Sequence, residues 1–239
     1  MTPPMFRIAA DAVGADRITL DGPEGRHASD VRRLRPGEEL WLTDGAGTRG
    51  VGTVAEVKRG QLEIDASEWL FVESQSPQLV VFQALAKGGR DEAAVESMTE
   101  VGVDEVVGWS ASRSIAKWTD RTQTKWQSAA DAAAKQARRS WWPVVTGPVT
   151  TAEVATRVTA TGVAIVLHEA ATGTLADIDL AGASEVLVVV GPEGGIADGE
   201  LAQLVEAGAV PVRLGSTVLR SSTAGVAALS AICARTRWS

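Results

Sequence analysis

The chain has 239 residues, 45% of them hydrophobic and 22% charged, with a formal net charge of −7. That is ordinary for a water-soluble globular protein and leaves length for one large domain or two small ones around a real core. No run of about 18 apolar residues exists, the start Met1–Arg7 lacks the basic-then-apolar layout of a secretory signal, and the single cysteine, Cys233, excludes an internal disulfide, so a cytoplasmic protein without a membrane partner is expected.

Residues 6–8, 17–20, 39–43, 50–57 and 61–65 alternate apolar and polar side chains with period two, as half-buried strands do. Turn signals separate them: Asp21-Gly22-Pro23, Arg35-Pro36-Gly37, Asp44-Gly45-Ala46-Gly47 and Arg59-Gly60. A short helix is expected at 25–34, and the spacing predicts a small β-barrel over residues 1–72. The polar stretch Glu73-Ser74-Gln75-Ser76-Pro77, closed by a proline, marks a linker into a second domain over 73–239.

There the rhythm changes to strand then helix. Leu79–Leu85 is a continuous apolar run, and 90–101 carries Ala94, Val95, Met98 and Val101 at helical spacing. A strand at 103–109, an alanine-rich helix at 122–139 and strands at 143–145, 162–167 and 185–190 follow. Residues 198–207 read as a helix opened by an aspartate cap, 210–214 as the last strand, and 222–237 as a closing apolar helix that buries Cys233. Alternating β and α with buried strands predicts an α/β fold, a mostly parallel sheet covered on both faces.

The acidic average hides an asymmetry. From Arg113 to Arg139 seven basic residues (Arg113, Lys117, Arg121, Lys125, Lys135, Arg138, Arg139) stand against Asp120 and Asp131, so this segment is +5 in a chain otherwise about −12. Local field attracts phosphate, so such a stripe suits RNA. Arg113, Lys117, Arg121 and Lys125 recur every four residues and would share a helix face, with Trp118, Trp126, Trp141 and Trp142 interleaved, either to stack on splayed bases or to pack as core or dimer contacts. Arg26, Arg32, Arg33 and Arg35 form a second basic cluster suited to phosphate contacts.

The apolar run 185–190 feeds straight into Gly191-Pro192-Glu193-Gly194-Gly195, and a later strand ends in the tract 214–224, which includes Arg220 and Thr223. Two bare-backbone turns can grip a flat polar ligand through main-chain groups. The G-x-G-x-x-G and G-x-x-x-x-G-K-[ST] spacings are absent, and Glu193 stands where a pyrophosphate would sit. His27 and His168 are the only histidines and neither has a second ligand nearby, so no metal is expected; no G-x-S-x-G nucleophile elbow occurs either. What remains is a ligand with a base, a ribose and a cationic tail, which S-adenosylmethionine fits, its positive end tolerating Glu193 or Glu169.

The turn at 191–195, the tract 214–224, and the segment from Lys87-Gly88-Gly89-Arg90-Asp91-Glu92 to Glu100-Val101-Gly102-Val103-Asp104 together resemble the RsmE family. These are SPOUT-superfamily methyltransferases acting on N3 of a uridine in 16S ribosomal RNA of the 30S subunit. His27, the stretch 31–37 and Asp44-Gly45 also resemble the family's N-terminal PUA-like barrel, so the resemblance spans essentially the whole chain. It implies a SPOUT-type sheet with a C-terminal trefoil knot and a homodimer sharing its active site. It also implies a cofactor pocket from Leu167, His168 and Glu169, from Val190, Gly191, Pro192, Glu193, Gly194 and Gly195, and from Leu214, Gly215, Val218, Leu219, Arg220 and Thr223. Arg220 or Arg113 is the expected cation for charge developing on the uracil oxygens, with Glu193 or Glu169 as the available general base and His168 a further candidate. One departure stands out: Ser222 occupies a position where the family commonly has glutamate. The rival readings are a SPOUT methyltransferase acting on another RNA and a non-catalytic RNA-binding assembly protein.

Overall fold

The computed structural model describes residues 2–86 and 88–238, so Lys87 of the Lys87–Glu92 motif lies outside the described residues. The chain divides into two compact units, Met1–Ser74 with Ala134–Trp142, and Gln75–Ala133 with Pro143–Ser239.

The first unit is one sheet of five strands, β1 (Met5–Arg7), β2 (Arg17–Leu20), β3 (Glu39–Thr43), β4 (Thr48–Lys58) and β5 (Gln61–Phe71), in the order β1-β3-β4-β5-β2. Alternate residues Leu40, Leu42, Leu62 and Ile64 point to one core with Phe6 and Val54. β4 and β5 run longer than the alternation predicts. Irregularities between Gly50 and Val51 and between Val54 and Glu56 shift the pairing by a residue, which inverts the apolar period and hides the strand ends. The helix expected at 25–34 instead opens three residues earlier as α1 (Gly22–Arg26) and passes into a wider π-type turn at His27–Val31. Pro23 in the first turn has the fixed φ a helix start needs, so the apparent turn signal is a helix opening. The detached segment Ala134–Trp142 is stitched into this unit: the Gly47 N–H donates to Ser140 O at 2.9 Å and the Trp141 indole N–H to Val72 O at 2.7 Å.

The second unit contains β6 (Gln78–Ala84), α2 (Arg90–Val101), β7 (Glu105–Trp109), β8 (Val144–Val149), α4 (Thr151–Ala160), β9 (Val163–Leu167), β10 (Glu185–Val190), α5 (Asp198–Glu206), β11 (Val210–Val212) and α6 (Ser221–Thr236). It also holds most of α3 (Asp120–Gln136). Its six strands are all parallel, in the order β11-β9-β10-β6-β7-β8. Both faces are covered: Val186, Val188 and Val190 of β10 pack with Met98 of α2 and Leu229 of α6, while Leu187 and Val189 pack with Val154 of α4 and Leu204 of α5. Cys233 is buried in α6, as its apolar surroundings suggested.

The sequence pattern missed α4. Its opening signal, a capping box in which Thr150 and Glu153 satisfy each other's backbone N–H groups, is legible, but the threonines and valines around it read as extended chain. The cap of α5 is also corrected. Ala197, not Asp198, is the cap residue, and its N–H donates to Glu200.

β6 sits at the centre. The chain lays β7 and β8 on one side of it, then crosses to lay β9, β10 and β11 on the other, so strand order reverses between β6 and β10. In open parallel sheets the crevice at the carboxyl ends beside such a switch is where ligands bind. Here Gln83, Val190, Leu167 and Val212 are in register, so four strands end at one level.

Candidate active site

Above those strand ends lies a cavity of about 450 Å³, within the range of small-molecule sites. Three stretches wall it: 167–169 after β9, 190–196 after β10, and 212–221 between β11 and α6, with Ala224. All the expected cofactor residues are brought together here except Thr223, which is exposed one turn into α6 with its N–H bonded to Arg220 O. Sequence reasoning placed Ser216, Thr217 and Ser221 in the cofactor tract without singling them out, and missed Ile196, Val212, Arg213 and Ala224, which flank the two turns and belong to no motif.

The turn after β10 needs its glycines. A Cβ on Gly191 would stand 2.7 Å from Ile196 Cγ1, and Gly195 holds φ of +72°, a conformation that side chains disfavour. The result is a wall of bare backbone, both donors and acceptors, which suits a nucleoside.

The charged candidates separate by position. Arg220 is exposed on the cavity wall at the residue preceding α6. Glu193 also lines the cavity, but its Oε1 lies 3.3 Å from Arg90 Nη1 in an ion pair, so that oxygen is already engaged. Arg113 does not line the cavity. Its Nη1 donates to the carbonyls of Gly194 (3.2 Å) and Ile196 (3.4 Å), so the guanidinium expected to meet substrate instead braces the turn. His168 is likewise engaged by the backbone: its Nδ1 accepts from the Ala170 N–H at 3.3 Å, which places the neutral ring's hydrogen on Nε2 and leaves that nitrogen a donor. Glu169 is exposed on the cavity wall.

Two supporting groups were not anticipated. Glu200, in the first turn of α5, accepts from the Ser112 N–H (2.8 Å), the Ser112 hydroxyl (2.8 Å), the Thr151 hydroxyl (2.9 Å) and the Ala197 N–H (3.3 Å). Burial pushes its carboxyl up, but these donors outweigh burial and hold it below the ordinary value. Glu200 thereby anchors the residue next to Arg113, and both ends of the 191–196 turn are gripped. The second is Gln83 of β6, wholly buried, where it interrupts the apolar residues that follow Gln78; an amide inside that run was its available signal.

The basic residues expected to hold RNA divide between the units. Arg113 and Lys117 precede α3, so only Arg121 and Lys125 share a helix face, and Lys125 pairs with Glu92 at 2.5 Å. Of the two readings of the tryptophans the structure supports packing: Trp126 is buried edge-on to Trp118 with ring centres 5.0 Å apart, and the indole N–H groups of Trp141 and Trp142 donate to Val72 O and Arg139 O. These rings are packing, not display. In the first unit Arg26, Arg32, Arg33 and Arg35 are exposed, as is Arg138, whose Nη2 reaches Thr2 O at 3.4 Å; Arg139 is half-buried. Burial, together with the nearby charges of Lys135 and Arg32, holds His27 below its ordinary value against the pull of Glu24, so it adds no charge to this cluster at neutral pH. Among the described residues no group of histidine, cysteine or acidic side chains could hold a metal ion, and no helix is long and apolar enough to cross a membrane.

Residues 73–233 match the model of an RNA methyltransferase domain and residues 20–66 that of an RNA methyltransferase PUA domain. Over 228 residues, covering 92% of this chain and 87% of the other, the sequence is 45% identical to the ribosomal RNA small subunit methyltransferase E of Mycobacterium bovis. The chain belongs to this family. The Bacillus subtilis member is 26% identical over 93% of the chain and 91% of its own length. A putative methyltransferase of Legionella pneumophila, solved with S-adenosylmethionine bound, superposes with a TM-score of 0.89 at 26% identity, covering 98% of both chains. As in that relative, the methyltransferase E fold seen here is a parallel α/β sheet preceded by a smaller all-β sheet.

Proposed function

We propose that the chain transfers the methyl group of S-adenosylmethionine to N3 of a uridine in 16S ribosomal RNA of the small subunit. The observation that carries this is the backbone-walled cavity at the in-register ends of β9, β10 and β11, in a chain of the methyltransferase E family. Residues 190–195 and 214–220 offer peptide N–H and C=O groups to the base and ribose, and Glu169 and Glu193 supply negative charge for the cationic end. When bound, the cofactor supplies an electrophilic methyl group.

This chain's own residues then have three tasks. Uracil N3 carries a proton, so it is nucleophilic only once that proton leaves; exposed Glu169 is better placed to accept it than Glu193, which is paired with Arg90. Negative charge then spreads over the two uracil oxygens, and Arg220 is the cation free of the turn-bracing duty that occupies Arg113. Holding base and methyl donor in line is the third task and supplies much of the rate. Arg26, Arg32, Arg33 and Arg35 in the first unit, with Arg121, Lys117, Arg138 and Arg139, meet RNA phosphates.

The same reading includes a trefoil knot formed by the tract leading into α6 and a cytoplasmic homodimer. Val218, apolar yet 79% exposed on the cavity wall, supports the dimer, since a large apolar side chain left in water at a site calls for a cover. The test is methyl transfer onto purified 30S subunits lacking the mark, followed by nucleoside mass spectrometry. A methyl group on uridine N3 is expected; one on any other base, or no saturable heat with S-adenosylmethionine in calorimetry, overturns the reading.

A further inference from the structure

Gln83 lies at the carboxyl end of the central strand β6, opposite Val190 of β10 in register, and its side chain is wholly buried. Its Nε2 donates to Ala84 O (3.0 Å) and to the Ser221 hydroxyl (2.9 Å); that hydroxyl in turn donates to Gly191 O (3.0 Å). Gly191 opens the turn after β10 and Ser221 begins α6, and both line the cavity. A continuous hydrogen-bonded chain therefore runs from the middle of the sheet through one cavity wall to the other. The amide is fixed at its own strand, so it fixes the direction of the hydroxyl hydrogen, and the hydroxyl fixes the Gly191 peptide.

Gln83 Oε1 is buried with no hydrogen-bond partner among the described residues. A buried acceptor left unpaired is destabilising, so a leucine in this apolar strand would be the better choice for stability alone. Its presence is explained by what the other end of the amide does.

We infer that Gln83 and Ser221 are a positioning pair that sets the separation of the two cofactor-binding walls, acting on cofactor affinity rather than on the chemical step. This rests on the methyltransferase reading. Neither residue touches reacting atoms; each acts through the peptide of Gly191. Three variants test it: Gln83→Leu, Ser221→Ala and the double variant, with Ser221→Thr as the hydroxyl-preserving control. Calorimetry with S-adenosylmethionine and steady-state methyl transfer to 30S subunits are the readouts, with thermal unfolding establishing that each variant is folded.

Each single variant is expected to weaken binding and raise KM for S-adenosylmethionine by about tenfold, the scale of one lost buried hydrogen bond. The value of kcat is expected to stay within about threefold, and Ser221→Thr to bind like the parent. Because the two residues form one chain, the double variant should be no weaker than about either single one. If folded Gln83→Leu and Ser221→Ala proteins bind within about twofold of the parent, or if their effects multiply in the double variant, the positioning pair is wrong. If the parent itself shows no saturable binding, the methyltransferase reading fails instead, and the two failures are told apart.

Discussion

The two ends of the parallel sheet are built on opposite principles. At the amino ends of the strands, charged groups are saturated by partners. Arg157 bridges Glu185 at 2.6 Å and Glu105 at 3.4 Å, the Thr161 hydroxyl adds a bond to Glu185, and Arg237 donates to Asp104, Gly102 O and Pro77 O. Asp104 also receives the Leu79 N–H at 2.8 Å. At the carboxyl ends glycine turns leave main-chain groups facing a cavity, and the side chains of Arg113 and Ser221 brace those turns. One end of the same strands is closed for stability and the other kept open for a ligand, as expected of parallel sheets whose ligands bind outside the carboxyl ends.

The sharpest way to break this division is at Arg237, whose side chain is only 1% exposed. Arg237→Ala strips a buried guanidinium from Asp104 and from the carbonyls of Gln75, Pro77 and Gly102 at once, and breaking a buried pair by removing one partner costs about 3–5 kcal/mol. Chemical denaturation should show that loss, while the remaining folded protein binds S-adenosylmethionine as the parent does. A loss under about 1 kcal/mol, or a parallel fall in affinity, would mean the two ends are not separable.

Arg220→Ala is the converse at the open end. Removing a cation that meets charge developing in the transition state lowers rate by roughly a hundredfold, and an exposed residue outside the core leaves unfolding within about 0.5 kcal/mol. Methyl-transfer kinetics with 30S subunits check the first expectation and thermal melts the second. Unchanged kcat would hand the role to another cation.

Glu200→Gln is the intermediate case, because Glu200 lies outside the cavity wall yet grips the loop beside Arg113. An amide presents one acceptor oxygen, so two of the four donors now on the carboxylate lose their partner. We expect KM for S-adenosylmethionine to rise about tenfold with kcat little changed. An unaltered KM would show that the turn holds itself.

This difference between the ends also explains what could be read from sequence. The open end was legible because its chemistry is local: glycines at 191, 194 and 195 and the tract to Arg220 are contiguous, and contiguity is what a sequence displays. The braces were not, because they join residues far apart in the chain, Arg113 to Gly194, Ser112 to Glu200 and Gln83 to Ser221. Arg113 was recognised as a cation of the site, but residue type alone does not show that its acceptors are the carbonyls of Gly194 and Ile196. β9 and β10 of the second unit were clear from their apolar runs, whereas β4 and β5 were cut short where bulges invert the period. The tryptophans stayed open for a related reason: an indole interleaved with arginines reads equally as a stacking face or as packing until Trp126 is seen against Trp118.

Acid pH separates the two ends more gently. Glu185 at the closed end and Glu200 at the open end both have carboxyl groups held below the ordinary 4.5, in each case because hydrogen-bond donors outweigh the upward push of burial. For Glu185 the donors are Arg157 and the Thr161 hydroxyl. A carboxylate depressed on folding is more fully ionised in the native state than in the unfolded chain, so each contributes stability that is complete above its unfolded value and is lost as pH falls through its folded one. Stability measured by denaturation should therefore decline below about pH 4.5. Glu185→Gln should lower stability at neutral pH and flatten that decline, with S-adenosylmethionine affinity at neutral pH unchanged. Glu200→Gln should flatten it as well, but with weakened affinity. If Glu185→Gln alters affinity as much as Glu200→Gln does, the ion pairs at the amino ends are felt across the whole length of the strands, and the division of labour between the two ends of the sheet is lost.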